Sequence, residues 1–250
     1  MHRIGLIFGA ILGLLATSSW CRADAFKPTT MPVLVPDPAI RLLWTHIAAP
    51  DSEESFWRAF RELYRLVING QDVEIIQQAI ALSPEKPEQM IVMQLGWFIP
   101  RWQISPSAVL RAAVPMLELA DDGQREQAEM LMQMFLANEG VWVRDHDVVD
   151  YLREHCPEPP HRFVEFLCSF APRTALLCVD GAYPDPERHR IVIWAEHVIS
   201  DAIWKHENAF LKQDSLGAAQ RQLNVLKRRP EWWVRLYAAE IIRLHPWLAE

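Results

Sequence analysis

Glycine is scarce in this chain: nine in 250 residues, three of them (Gly5, Gly9 and Gly13) within the first sixteen. Leu, Ala, Glu, Gln, Arg and Met are plentiful instead, a composition that favours helices. No strand pattern extends beyond Val141-Trp142-Val143. A basic surplus is also missing: Lys and Arg number 25 against 32 Asp and Glu, and no basic run occurs. An acidic chain of this kind is a poor partner for nucleic acid or anionic lipid headgroups. Apolar runs are short, which excludes an obvious membrane-spanning helix. The patterns HExxH, Gly-x-Ser-x-Gly and both phosphate-loop signatures are absent, so the chemistries they carry have no sequence support.

The first residues read as an address. Met1-His2-Arg3 is a short basic start, Ile4 to Ala16 is thirteen uncharged apolar residues, and Ala23-Asp24-Ala25 has the small-x-small form of a cleavage site. Thirteen residues fall short of the roughly 20 that cross a bilayer as a helix. The sequence therefore predicts a signal peptide over 1–25 and a mature chain from Phe26, periplasmic or secreted, with no membrane insertion after cleavage. Removing residues 1–25 from the 250 leaves 225. Losing Arg3, Arg22 and Asp24 takes the net charge from −7 to −8.

Phe26 to Pro36, rich in Pro and Thr, reads as an extended lead-in. From residue 37 onward, prolines stand at segment starts behind capping side chains: Asp37-Pro38, Ser105-Pro106 and Asp185-Pro186. Proline costs little at the first helical position, where the missing N–H has no partner in any case. Apolar periodicity predicts helices over 38–48, 53–68, 71–82, 87–99, 106–119, 124–137, 146–155, 160–170, 173–179, 186–207, 215–228 and 231–244. The expected fold is all-α, a single helical-repeat domain over 37–250.

Two features point to repeated helix pairs. Pro186-Glu187 and Ala195-Glu196 recur 44 residues later as Pro230-Glu231 and Ala239-Glu240. Between Ser105 and Asn138, Val109, Ala112, Ala113, Leu117 and Ala120 recur at helical spacing around an internal Pro115. Asp121-Asp122-Gly123 makes a turn, and Ala128, Leu131, Met132 and Phe135 line the next helix. A proline-kinked first helix, an acidic turn and an Arg-containing second helix resemble the HEAT repeat, with armadillo-type units as the close relative. Ser215 to His245 is similar, with Val234-Arg235 leading into Ala238-Ala239, although Arg228-Arg229-Pro230 stands where the regular unit has an Asp. The resemblance implies an α-solenoid of helical hairpins, a scaffold or binding surface, and carries no catalytic residues and no cofactor.

Ten tryptophans follow the signal peptide. Trp57, Trp97 and Trp194 lie within apolar helical patterns and are expected in the core. Trp102, Trp142 and Trp247 fall near helix ends, and Trp232 and Trp233 are neighbours about 100° apart on one helix, so these five are candidates for an exposed binding patch. His189, Glu196, His197, Ser200 and Asp201 are expected on the polar side of helix 186–207. There the His197/Asp201 pair has i,i+4 spacing for a base or a metal ligand, set against an ordinary solvated face. Asp145-His146-Asp147 reads as acids at a helix N-terminus, and Ser83 as an N-cap, because Ser83-Pro84-Glu85-Lys86 lacks the Ser-Asp-Asn and Lys-Thr-Gly partners of penicillin-binding enzymes.

Cys156, Cys168 and Cys178 allow one disulfide among them in an oxidising compartment, or buried thiols. Their spacing with His155 and His161 lacks the paired short loops of a structural zinc site. The expectation is an exported, non-enzymatic helical-repeat scaffold with a protein partner. The rival is an envelope carbohydrate-binding module or glycan-acting enzyme that uses surface Trp with Glu196 or Asp201.

Overall fold

The computed structural model describes residues 37–86, 90–119, 121–136 and 143–249. The expected signal peptide, lead-in and Trp142 lie outside these residues. Contacts divide the chain between Met31 and Pro32, and every described helix belongs to the second unit.

Twelve α-helices are described: α1 (Pro38–Ala48), α2 (Glu53–Ile68), α3 (Asp72–Leu82), α4 (Ile91–Arg101), α5 (Pro106–Leu117), α6 (Asp122–Leu136), α7 (Asp145–His155), α8 (His161–Phe170), α9 (Pro172–Ala182), α10 (Pro186–Glu207), α11 (Gln213–Lys227) and α12 (Trp232–Leu244). Two single 3₁₀ turns, Ser83–Glu85 and Pro246–Leu248, accompany them, and no strand occurs among the described residues. The protein is all-α.

Capping chemistry sets the helix starts. The Asp37 carboxylate accepts the Ala39 and Ile40 N–H groups at 2.8 and 3.2 Å, and Ser105 Oγ accepts that of Ala108 at 3.2 Å. Asp185 accepts Glu187 and Arg188, both at 3.0 Å. Each satisfies N–H groups that the helix leaves without partners. Asp147 accepts the Arg144 N–H at 2.8 Å, so this acid does serve the start of α7. Ser83 departs from expectation: its buried hydroxyl donates to Gln127 Oε1 at 2.9 Å and caps nothing. Here tertiary packing against α6 outweighs local capping.

Three helices end by the same device. The N–H three residues past the helix end reaches back five residues, from Gln71 to Leu66, Ile104 to Ile99 and Phe210 to Lys205. The residue between takes a left-handed backbone: Gly70 at φ 82°, Gln103 at φ 55° and Ala209 at φ 61°. Glycine adopts that conformation freely, whereas Gln103 and Ala209 hold it against a steric cost.

α1, α3, α5, α7 and α9 form a row in which each helix packs on the next. α2 lies against α1 and α3, α4 against α6, and α8 against α5 and α9. α5 sits at the centre of the row and is buried almost all round, through Ala108, Val109, Leu110, Ala112, Ala113, Val114, Met116 and Leu117. Its alanines let neighbouring backbones approach, and Gly96 on α4 does the same for Met134 of α6, whose side chain occupies the space a Cβ would take. Trp44, fully buried, ties α1 to α3 by donating its indole N–H to Ile75 O at 3.1 Å.

One apolar cluster runs through α1–α9, and a smaller one joins Leu176 to α10, α11 and α12. Trp233 touches both. The 44-residue repetition is not an equivalence of position: Pro186 is the first residue of α10, whereas Pro230 stands two residues ahead of α12. Ala195 is buried and Ala239 exposed.

Candidate binding surface and its buried support

The tryptophans change places relative to expectation. Trp57, Trp97 and Trp194, expected inside, are 46%, 66% and 60% exposed. On α10 the inner face is made by Arg188, Val192, Ala195, Glu196, Ile199 and Ala202. Small alanines and a paired charge fill the contact, so the large apolar ring stands outside. On α4 the inner face is Ile91, Val92, Leu95, Phe98 and Ile99, with Trp97 set to one side and the Arg101 guanidinium 5.6 Å from its ring.

Trp102 moves the other way. Its ring stacks on Phe98 with centroids 5.0 Å apart and lies 5.3 Å from Phe60 and 6.3 Å from Trp44. The turn that ends α4 folds Trp102 back into this aromatic group, buried, with its indole N–H unpartnered. A helix end is not a surface when the chain reverses there.

Trp232, Trp233 and Trp247 are half-buried. Trp232 stacks on His161 at 4.6 Å and meets Trp233 edge-on at 5.9 Å. Trp233 receives the Arg188 guanidinium 5.6 Å from its ring, and its own N–H is buried without a partner. Trp247 stacks on His206 at 4.0 Å. These rings cover the seams around α12 and do not form one open patch.

The five polar residues expected on one side of α10 point in different directions. Glu196 faces inward, where Arg173 Nε meets Oε1 at 2.8 Å and Ser200 Oγ donates to it at 2.5 Å. Burial, then the Glu196 charge, pushes the nearby Tyr237 hydroxyl well above its ordinary range. His189 contacts the fully buried Asp180, which also takes Arg188 Nε at 2.7 Å, while Arg188 donates to the Tyr183 carbonyl as well. His197 and Asp201 face solvent, the latter paired with Lys205 at 2.5 Å. Glu196 and Asp201 do not converge. Among the described residues no group of three or more His, Cys, Asp and Glu is placed to hold a metal.

Cys156, Cys168 and Cys178 are free thiols, placed at the end of α7, on α8 and on α9. Of the two alternatives open in the sequence, the structure has thiols. Burial pushes Cys168 and Cys178 up to about 12 and raises Cys156, which leaves little thiolate at neutral pH.

What the spacing alone overlooked is a stripe on α10. Glu187, Arg190, Trp194, His197, Asp201 and Trp204 recur at alternating steps of three and four and are all exposed. Phe210, 66% exposed, stacks on Trp204 at 6.5 Å, brought there by the turn at Ala209. A second exposed stripe runs along α2 through Trp57, Arg61, Tyr64 and Ile68. The signal for both was present in the 3-4 spacing, but tryptophans at that spacing read equally well as part of a core face.

No protein-family model, no curated protein and no solved structure matches the chain.

Proposed function

We propose that this chain is an exported, non-enzymatic helical-repeat scaffold that binds another envelope or secreted protein. The observation that carries the reading is the set of large apolar side chains left uncovered on the helices, with Trp57, Tyr64 and Ile68 aligned on α2 and Trp97 on α4. Tryptophan and tyrosine are the residues that most often anchor protein interfaces, because each buries a large area for little lost side-chain freedom. The row of alternate helices from α1 to α9 supports stacked hairpins, in which neighbouring pairs share a core and leave one face free.

A carbohydrate-binding or glycan-acting protein is the weaker reading. Exposed tryptophans suit sugar rings, but the carboxylate meant to accompany them is turned away: Glu196 lies buried beneath Arg173.

Mild crosslinking in the native cell envelope, followed by capture of the tagged chain and mass spectrometry, tests the proposal. A stoichiometric protein that is lost with Trp57→Ala or Trp97→Ala supports it. Enrichment of glycan fragments without protein, or a partner retained by both variants, overturns it. N-terminal sequencing of the captured chain should start at Phe26, and an intact Met1 would remove the exported part of the reading.

A further inference from the structure

The α10 stripe is self-complementary. Counted from a point between Ala195 and Glu196, its six residues fall in three symmetric pairs: Glu187 with Trp204, Arg190 with Asp201, and Trp194 with His197. A second α10 laid antiparallel across the first, with its two-fold axis at that point, brings each residue against its symmetry mate. The stripe runs about 26 Å at 1.5 Å per residue, and its alternating steps of three and four are those of a helix-to-helix seam. The core face of the helix, through Val192, Ala195, Ile199 and Ala202, points the opposite way.

We infer that α10 is a homodimerisation helix, and that its occupant is the α10 of a second copy of this chain. Charge selects this occupant. Antiparallel pairing places Arg190 against Asp201 of the second copy twice, one step in from each end of the seam, whereas parallel pairing would set Arg190 on Arg190 and Asp201 on Asp201. Like charges brought together at an interface are strongly disfavoured. The isologous arrangement gives two equivalent ion pairs from one surface, as two-fold symmetry requires.

The groups needed are uncommitted within the chain. Arg190, Trp194 and His197 make no side-chain hydrogen bond, ion pair or ring contact among the described residues. Asp201 meets Lys205 through Oδ2, and its Oδ1 is left to accept a guanidinium. Trp194 shares a shallow hollow with Arg190, Ile191 and Gln222, which receives the imidazole of the second copy. Half-buried Ile191 and Val198 flank the seam and extend its apolar area.

This inference is independent of the surface proposed above for a different protein partner, which uses α2 and α4. Sedimentation equilibrium of the purified full chain distinguishes them, since it contains no second protein. A dimer is expected. Arg190→Glu and Asp201→Arg, each setting like charges across the seam, should weaken it by more than about 100-fold, and the double charge reversal should restore it. Trp194→Ala should also leave a monomer with unchanged helix content by circular dichroism. A monomeric wild-type chain, a dimer indifferent to Arg190→Glu, or a double reversal that stays monomeric overturns the inference. Loss of the envelope partner with Trp57→Ala would stand in any of these cases.

Discussion

Arg188 Nε donates to Asp180 Oδ1 at 2.7 Å, and the Asp180 carboxylate is wholly shielded from solvent. The pair fastens the end of α9 to the first turn of α10, near the place where the larger apolar cluster gives way to the smaller one. Trp233 covers the guanidinium and packs on both clusters.

Removing one member of that pair strands the other. Asp180→Ala leaves the buried guanidinium uncompensated and should cost about 3–5 kcal/mol of unfolding free energy. Replacing both, as Asp180→Leu with Arg188→Met, should recover most of the loss. Urea titrations of the two variants check this, and a single substitution costing under about 1 kcal/mol would show that the pair is solvated.

Trp102 poses the opposite test. Its ring supports Phe98, Phe60 and Trp44, but its buried N–H has no acceptor. Trp102→Ala should cost about 3–5 kcal/mol for the cavity it opens. Trp102→Phe removes an unpaired donor while keeping an aromatic ring, and should cost less than about 1.5 kcal/mol. Equal costs for the two variants would mean that the indole N–H has found a partner.

The thiols give a chemical signature. In the chain that starts at Phe26, Ellman's reagent should find no fast-reacting thiol in the native state and three in denaturant, because Cys168 and Cys178 are buried, Cys156 is half-buried, and burial holds all three protonated. One thiol in denaturant, rising to three only after reduction, would reveal a disulfide.

Glu118 makes stability depend on pH. Its Oε1 accepts the Phe163 N–H at 3.1 Å, yet burial outweighs that bond and holds the carboxyl above its ordinary value of 4.5. A carboxyl raised in the folded state binds its proton more tightly there. Its contribution to stability is therefore complete below 4.5 and falls away as the pH rises through the folded value. Glu118→Gln should flatten this decline, so that the variant gains on the wild type as the pH rises above 4.5 in paired thermal or urea melts. Glu129, raised by burial in the same direction, leaves a residual slope in the variant. Parallel pH profiles for variant and wild type would rule out the Glu118 assignment.

Local chemistry was legible residue by residue. Asp37-Pro38, Ser105-Pro106 and Asp185-Pro186 start helices where they stand, since a cap and a proline act within one turn. Helix ends shifted by a few residues: α9 runs on to Ala182 because burial of Asp180 and Ala182 extends it past Val179. Ser83 misled for the same reason in reverse, its hydroxyl being drawn to Gln127 on another helix. The binding surface was the least legible part. Trp194 and Trp102 carry identical side chains, and no local pattern says that one faces water while the other closes an aromatic cluster.

The all-α class, the order of the helices and most of their starts were determined by sequence alone, because composition, capping and 3.6-residue periodicity are short-range properties. Which face of each helix turned inward was decided by tertiary structure. On α10 the inner face went to small alanines and the ion-paired Glu196 and Arg188, and Trp194 and Trp204 were left outside. That choice depends on how closely α9, α11 and α12 approach, and close packing between helices is a property of neighbours far apart in the chain.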